Sequence, residues 1–243
     1  AFFGYPDQPS YFLNDRQAST HIKASPHSLE DALEALADSL GEPYKQSSSA
    51  GQLAQLQRPE LPRGELTPQK ACAVLAALQP EGAIVVEEAI TSAGDYFDLS
   101  ASAPPHTYLA LTGGAIGQGI PSALGASLAC PERPVIDLQA DGSAAYTVQA
   151  LWSQAREGAN VKTLICSNRS YAILRLELAR GGNKSPGKHA VSLTNLSNPA
   201  VNWVELSRGF GVPAERVETA EDLAQTLSRA LAEPGPYLIE MVF

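Results

Sequence analysis

The 243-residue sequence predicts an α/β fold, a doubly wound parallel sheet with helices on both faces. Three observations carry that prediction. Short apolar runs alternate with helical patterns throughout residues 67 to 243. One stretch, Pro134 to Tyr171, reads as a complete β-α-β unit, with Asp141 at the tip of its first strand and Asn168 at the tip of its second. In a right-handed crossover both tips fall on one edge of a parallel sheet, so these two residues are predicted to meet. A glycine-rich turn, Gly113 to Gly119, follows another short strand and allows close backbone approach to a ligand.

The elements follow in chain order. Residues 1–41 open with an apolar run, and Ser28 then caps a helix, Leu29 to Leu40, closed by Gly41. Leu29, Leu33, Leu36 and Leu40 share one face, on a piece too small to hold a core; it reads as the remnant of a preceding α/β domain. Residues 42–66, rich in Ser, Gln, Pro and Gly, read as a linker. Thr67-Pro68 starts a helix, and Ala83 to Glu87 reads as a buried strand. Thr91 and Ser92 then place hydroxyls at a strand tip, to meet a ligand or to cap a helix. Thr107 to Thr112 is a short strand before the glycine turn.

In the central unit, Pro134 to Gln139 is a strand ending at the turn Ala140-Asp141-Gly142-Ser143. A helix follows from Tyr146 to Glu157, with Val148, Leu151, Trp152 and Ala155 on one face and Gly158 as its stop. Val161 to Cys166 is the next strand, and Ser170 to Arg180 is helical. Residues 181–189 form a polar loop long enough to be a lid, on which His189 contacts a substrate or faces solvent. Asn198-Pro199 caps a helix to about Arg208, Thr219 caps another over Ala220 to Ala232, and Tyr237 to Val242 is the last strand.

Composition narrows the function classes. Apolar residues at 44% with 18% charged give a globular chain with ample core, and the net charge of −9 argues against nucleic acid or an anionic membrane as partner. No run reaches transmembrane length, and no signal peptide is visible. Cys72, Cys130 and Cys166 lack Cys-x-x-Cys spacing and read as reduced core thiols of a cytoplasmic protein. The chain begins Ala-Phe-Phe-Gly-Tyr-Pro and its one methionine is Met241, so it reads as processed, cleaved or truncated.

Asp141 offers a hard anionic oxygen and Asn168 a neutral amide oxygen, and Asp141-Gly142-Ser143 leads into a helix N-terminus that favours phosphate. Two oxygen ligands beside an anion site suit Mg²⁺, which completes its shell with substrate phosphates and water. The pattern predicts a metal-bridged diphosphate. A rival remains: Gly117-x-Gly119-x-x-Ser122, with Asp137 further on, imitates the fingerprint of an NAD-binding Rossmann domain, although the third glycine is missing and Pro121 intrudes.

These residues resemble the thiamine diphosphate enzymes, whose metal-diphosphate motif runs Gly-Asp-Gly and, further on, Asn-Asn. Ala140-Asp141-Gly142 and Ser167-Asn168 depart from it at the outer positions and keep both ligating side chains. Ala140 lacks the freedom at positive φ of the glycine it replaces. Asn168-Arg169-Ser170-Tyr171 is similar to the Asn-Gly-Thr-Tyr variants of the benzoylformate decarboxylase and acetolactate synthase branch.

The resemblance implies a thiamine diphosphate-binding domain at 67–243, after the end of a middle domain at 1–41. It implies Asp141, Asn168 and the Ser170 carbonyl as Mg²⁺ ligands, with Gly142, Ser143 and Tyr171 at the cofactor and Thr91 and Ser92 at its terminal phosphate. The Gly114 carbonyl would accept from the aminopyrimidine amine, and Ile116 would wedge under the bent cofactor unless it is a plain core residue. Leu174 would line the substrate side. The implied activity is decarboxylation of a 2-oxo acid, sometimes followed by carbon–carbon bond formation. The glutamate that activates the cofactor is expected on a separate pyrimidine-binding domain of a second subunit, in a homodimer or homotetramer. Glu87 and Glu88 do not substitute for it, being expected at the phosphate end. The alternative is a cofactor-binding subunit without activity of its own.

Overall fold

Runs of β-branched and leucine residues pair into one sheet because their side chains fill both of its faces. The structure, a computed structural model, describes residues 28–41, 55–182 and 185–243. Two units divide the chain, 1–53 and 54–243. Within the first, helix α1 (Leu29–Ser39) carries Leu29, Leu33 and Leu36, with Leu40 just past it, and all four leucines are exposed. The opening apolar run and residues 42–54 of the expected linker lie outside the described residues.

The second unit begins with helix α2 (Pro68–Leu78), where the Thr67 hydroxyl accepts from the Lys70 N–H at 3.2 Å as a helix cap. The chain continues through β1 (Ile84–Glu88), α3 (Tyr96–Ser100), β2 (Thr107–Ala110), α4 (Gly119–Ala129) and β3 (Val135–Ala140). Then come α5 (Asp141–Ala144), α6 (Ala150–Glu157), β4 (Val161–Ser167), α7 (Ala172–Arg180), α8 (Lys188–Leu193) and α9 (Trp203–Gly209). It closes with β5 (Ala214–Val217), α10 (Ala220–Ala232) and β6 (Tyr237–Val242). Every pairing is parallel, in the order β2-β1-β3-β4-β6-β5.

Alternate residues of each strand serve opposite cores. On one face Val85, Ile136, Leu138, Leu164, Ile239 and Met241 pack under α2, α3 and α10 through Leu75, Tyr96, Leu223 and Leu227. On the other, Ile165 and Leu238 meet Ile120, Leu151 and Trp203, while Ile84, Val86, Val135 and Val161 meet Ala123. The chain leaves β1 for β2 on one side and later returns to β3 on the other. That divergence makes a switch point, and a crevice opens there beyond the strands' carboxyl ends.

Several elements differ from expectation. The helix predicted from Tyr146 begins at Ala150, because α5 and a turn come first. Trp152 is exposed, with the Arg156 guanidinium 5.5 Å above its ring, and Gln154 is buried in its place. The helix predicted from Ser170 starts at Ala172, and α8 shortens the predicted 181–189 loop; His189 lies on that helix, exposed. The cap of α9 is Asn202, whose side chain accepts from the Glu205 N–H, while Asn198-Pro199 is a cis peptide upstream. Strand β5 and helices α3 and α4 were not anticipated. Residues 55–66 are tied to the domain: Gln57 donates to the Ser102 carbonyl, Gly64 to the Glu221 carboxylate, and Leu66 is buried. Among the described residues no helix is long and apolar enough to cross a membrane.

Candidate functional site

The carboxyl ends of β1, β3 and β4 converge on one pocket. It is lined by Ala89, Ile90, Thr91, Ile116, Ala140, Gly142, Ser143, Asn168, Ser170, Tyr171, Ala172 and Ile173. Strand β3 delivers Asp141, which opens α5 and is 4% exposed. Ala140 before it is extended, at φ −90° and ψ 152°, so the turn does not need glycine's freedom. Asp141 Oδ1 accepts from the Gly142 N–H at 2.8 Å, and Oδ2 accepts from the Arg169 N–H at 2.6 Å. The second bond joins the tips of β3 and β4. Burial pushes the Asp141 carboxyl up to about 6, against the two N–H donors, which favour its charged form. A divalent cation at this carboxylate would act in the same direction as those donors.

From β4 comes Asn168, whose Oδ1 accepts from the Ser170 N–H at 2.9 Å in an Asx turn. Arg169 takes φ 53°, a conformation that glycine adopts without strain, and glycine stands there in the Asn-Gly-Thr-Tyr variants. The Ser170 carbonyl accepts from the Ala172 N–H at 2.9 Å. The Tyr171 ring lies against Gly142: a Cβ built on Gly142 would fall 2.6 Å from the ring. Only glycine leaves room for tyrosine at the floor of the pocket.

The first strand tip is held by Glu87, which accepts from the Ile90 N–H at 2.9 Å and from the Tyr108 hydroxyl at 3.2 Å. Ile90 takes φ 51°, a strained conformation for a β-branched residue. Thr91 is exposed on the pocket, and the cap position of α3 is Asp95, so neither Thr91 nor Ser92 caps that helix. Ser92 is buried and does not line the pocket. Ser143 lines the pocket, but its hydroxyl turns inward to the Glu88 carbonyl, the Gln139 side chain and the Ala140 carbonyl. Ile116 is half-buried on the pocket and outside the core clusters, whereas Gly114 is exposed at φ 67° and does not line it. Leu174 lies in a separate apolar groove with Leu178 and Leu193.

The glycine turn corrects the dinucleotide reading. Gly117, Gln118 and Gly119 donate their N–H groups to the Glu88 carboxylate at 2.7, 3.1 and 2.9 Å. The amides that a dinucleotide fingerprint would offer to pyrophosphate are therefore already occupied. Asp137 is fully buried and cannot reach a ribose. Sequence reasoning missed Glu88, Gln139 and Asp137 as parts of the site's support. The one signal was a pair of acids ending a strand, and it does not say which acid turns inward.

An open parallel sheet with an acidic turn and an Asx turn at its switch point defines an α/β domain of the kind that binds ligands beyond its strand ends. Residues 91–241 match the family model "Thiamine pyrophosphate enzyme, C-terminal TPP binding domain". This chain belongs to the thiamine pyrophosphate enzyme family, as its C-terminal TPP-binding domain. A Mycobacterium tuberculosis protein provisionally named acetolactate synthase large subunit IlvX is 46% identical over 100% of this chain and 46% of its own length. Benzoylformate decarboxylase of Pseudomonas aeruginosa is 34% identical over 73% of this chain and 32% of its own. The solved thiamine diphosphate-dependent 4-hydroxybenzoylformate decarboxylase of Rhodococcus jostii RHA1 superposes with a TM-score of 0.65 at 32% identity, over 77% of this chain and 34% of that one. The chain spans less than half the length of each of these relatives.

Proposed function

We propose that this chain binds thiamine diphosphate through Mg²⁺ and serves as the cofactor-binding part of a 2-oxo acid decarboxylase or carboligase. The observation that carries the reading is the Asp141–Arg169 hydrogen bond, which draws the acidic turn of β3 to the Asx turn of β4 at the rim of one pocket. The donors fit the ion. Asp141, the Asn168 amide oxygen and the Ser170 carbonyl are all hard oxygens, and each retains a lone pair beyond the N–H it already accepts. Three protein oxygens leave the rest of an octahedron to phosphate and water.

Bound thiamine diphosphate would supply the nucleophilic carbon and the electron sink that 2-oxo acid chemistry needs. The chain's own residues bind and orient. Asp141 would neutralise part of the ion's charge, Asn168 and Ser170 would fix its position, and Thr91 would offer a hydroxyl to the phosphates. Ile116 and the Tyr171 ring, both on the pocket, would offer the cofactor apolar surface and exclude water. Glu87 and Glu88 are already engaged, by Ile90 and Tyr108 and by the amides of Gly117 to Gly119, so the proton-handling glutamate is assigned to the pyrimidine-binding domain of a second subunit.

Calorimetry of the chain with thiamine diphosphate, with and without Mg²⁺, tests the reading. Asp141→Ala is expected to abolish magnesium-dependent binding, and Asp141→Asn, which keeps an oxygen ligand, to weaken it less. Wild-type affinity in Asp141→Ala would refute the ligand assignment.

A further inference from the structure

Glu88 ends β1 with its side chain 1% exposed, among the backbone amides that open α4. Oε1 accepts from Gly117 and Gln118 and Oε2 from Gly119, so one carboxylate satisfies three N–H groups at the positive end of an 11-residue helix. The same residue's main-chain carbonyl is 3.1 Å from the Ser143 hydroxyl, two residues past Asp141. Glu88 therefore touches the glycine turn with its side chain and the acidic turn with its backbone. Two further contacts close the glycine turn. Thr147 Oγ1 donates to the Gly117 carbonyl at 2.8 Å, and a Cβ on Gly119 would fall 1.7 Å from Gln139 Nε2.

We propose that Glu88 is a positioning residue: its carboxylate clamps the Gly117–Gly119 backbone and thereby sets Ile116 against the pocket, so that the ring end of the cofactor is held independently of its diphosphate end. The inference rests on the proposed function, in which the diphosphate lies at Asp141 and the ring end lies along the glycine turn. Gly113, Gly114 and Gly117 all take positive φ, and a segment so rich in glycine is costly to order. A buried carboxylate accepting three N–H bonds from consecutive residues holds one conformer of it. Without the clamp the competent conformer becomes one of several, and apparent affinity falls by the fraction that remains.

The test is Glu88→Gln in the 243-residue chain. The substitution keeps the shape and one acceptor, sets an NH₂ group against a backbone N–H, and leaves the main-chain bond to Ser143 untouched. Calorimetry in Mg²⁺ would compare thiamine diphosphate with inorganic pyrophosphate, which probes the diphosphate end alone. Hydrogen exchange would report the amides of Gly117, Gln118 and Gly119. The expected result is a thiamine diphosphate Kd raised about tenfold or more, a pyrophosphate Kd within about twofold of wild type, and faster exchange at the three amides. Equal weakening for both ligands, or no weakening of thiamine diphosphate, would overturn the proposal. If Glu88→Gln does not fold, Glu88→Asp, which keeps the charge and shortens its reach, takes the same measurements with the same expected split. A wild-type chain that binds neither ligand defeats the functional reading instead, and unchanged exchange would then defeat the clamp on its own.

Discussion

Asp137 is a carboxylic acid sealed inside the sheet, accepting from Gln139 Nε2 at 2.9 Å and facing the Thr163 hydroxyl at 3.4 Å. Burial pushes it from 3.8 up to about 7; the Gln139 bond opposes the rise and the Glu88 charge adds to it. Between those two values the folded chain holds a proton that the unfolded chain has lost. Stability therefore falls as pH rises through that window and levels off above the folded value. Asp137→Asn removes the ionisation and keeps an acceptor for Gln139. It is expected to stabilise the protein at about pH 8 by on the order of 2–4 kcal/mol, with the gain shrinking toward about pH 4. Thermal melts across that range check this, and a pH-independent difference would contradict it. At this scale the sequence was partly legible. Asp141 and Asn168 stood out as an acid and an amide at strand tips. Glu88 did not, because its partners are backbone amides 29 to 31 residues away, which carry no side-chain signature.

Elements were legible where local chemistry alone decides them. β3, β4 and β6 are apolar runs buried on both faces, and α2 and α10 start at threonine caps whose hydroxyls accept from Lys70 and Asp222. β5 was not legible, because Ala-Glu-Arg-Val is a four-residue edge strand that needs neither alternation nor a long apolar run. α4 carries Gly119, Pro121 and Gly125, which weaken a helical pattern, and the Glu88 carboxylate satisfies its first amide from outside the element. The glycine turn before it presents Ile116 to the pocket, outside the core clusters. Ile116→Ala is accordingly expected to lower stability by less than the ~2–5 kcal/mol of a core truncation, while clearly weakening thiamine diphosphate binding. Melting and calorimetry of the same preparation separate the two effects. A large fall in melting temperature with unchanged affinity would return Ile116 to the core.

For the whole molecule, alternation of strands and helices was enough to predict a parallel sheet with helices on both faces. The order β2-β1-β3-β4-β6-β5 was not readable, since it depends on which strands pair across the fold. That order puts the divergence between β1 and β3, and so places Thr91, Ile116, Gly142, Asn168 and Tyr171 around one crevice. Residues 55–66, which lack periodicity, are nonetheless held to the domain for a related reason. The backbone of an irregular segment can still be satisfied by distant groups, here the Ser102 carbonyl and the Glu221 carboxylate. In the proposed function the tips of β3 and β4 share one metal beneath a diphosphate. A crystal structure of the chain grown with thiamine diphosphate and Mg²⁺ would show whether they do. The ion is expected at about 2.1 Å from an Asp141 oxygen, the Asn168 amide oxygen and the Ser170 carbonyl, with the diphosphate completing its shell. Cofactor density elsewhere, or an ion that leaves Asp141 or Asn168 unliganded, would contradict it.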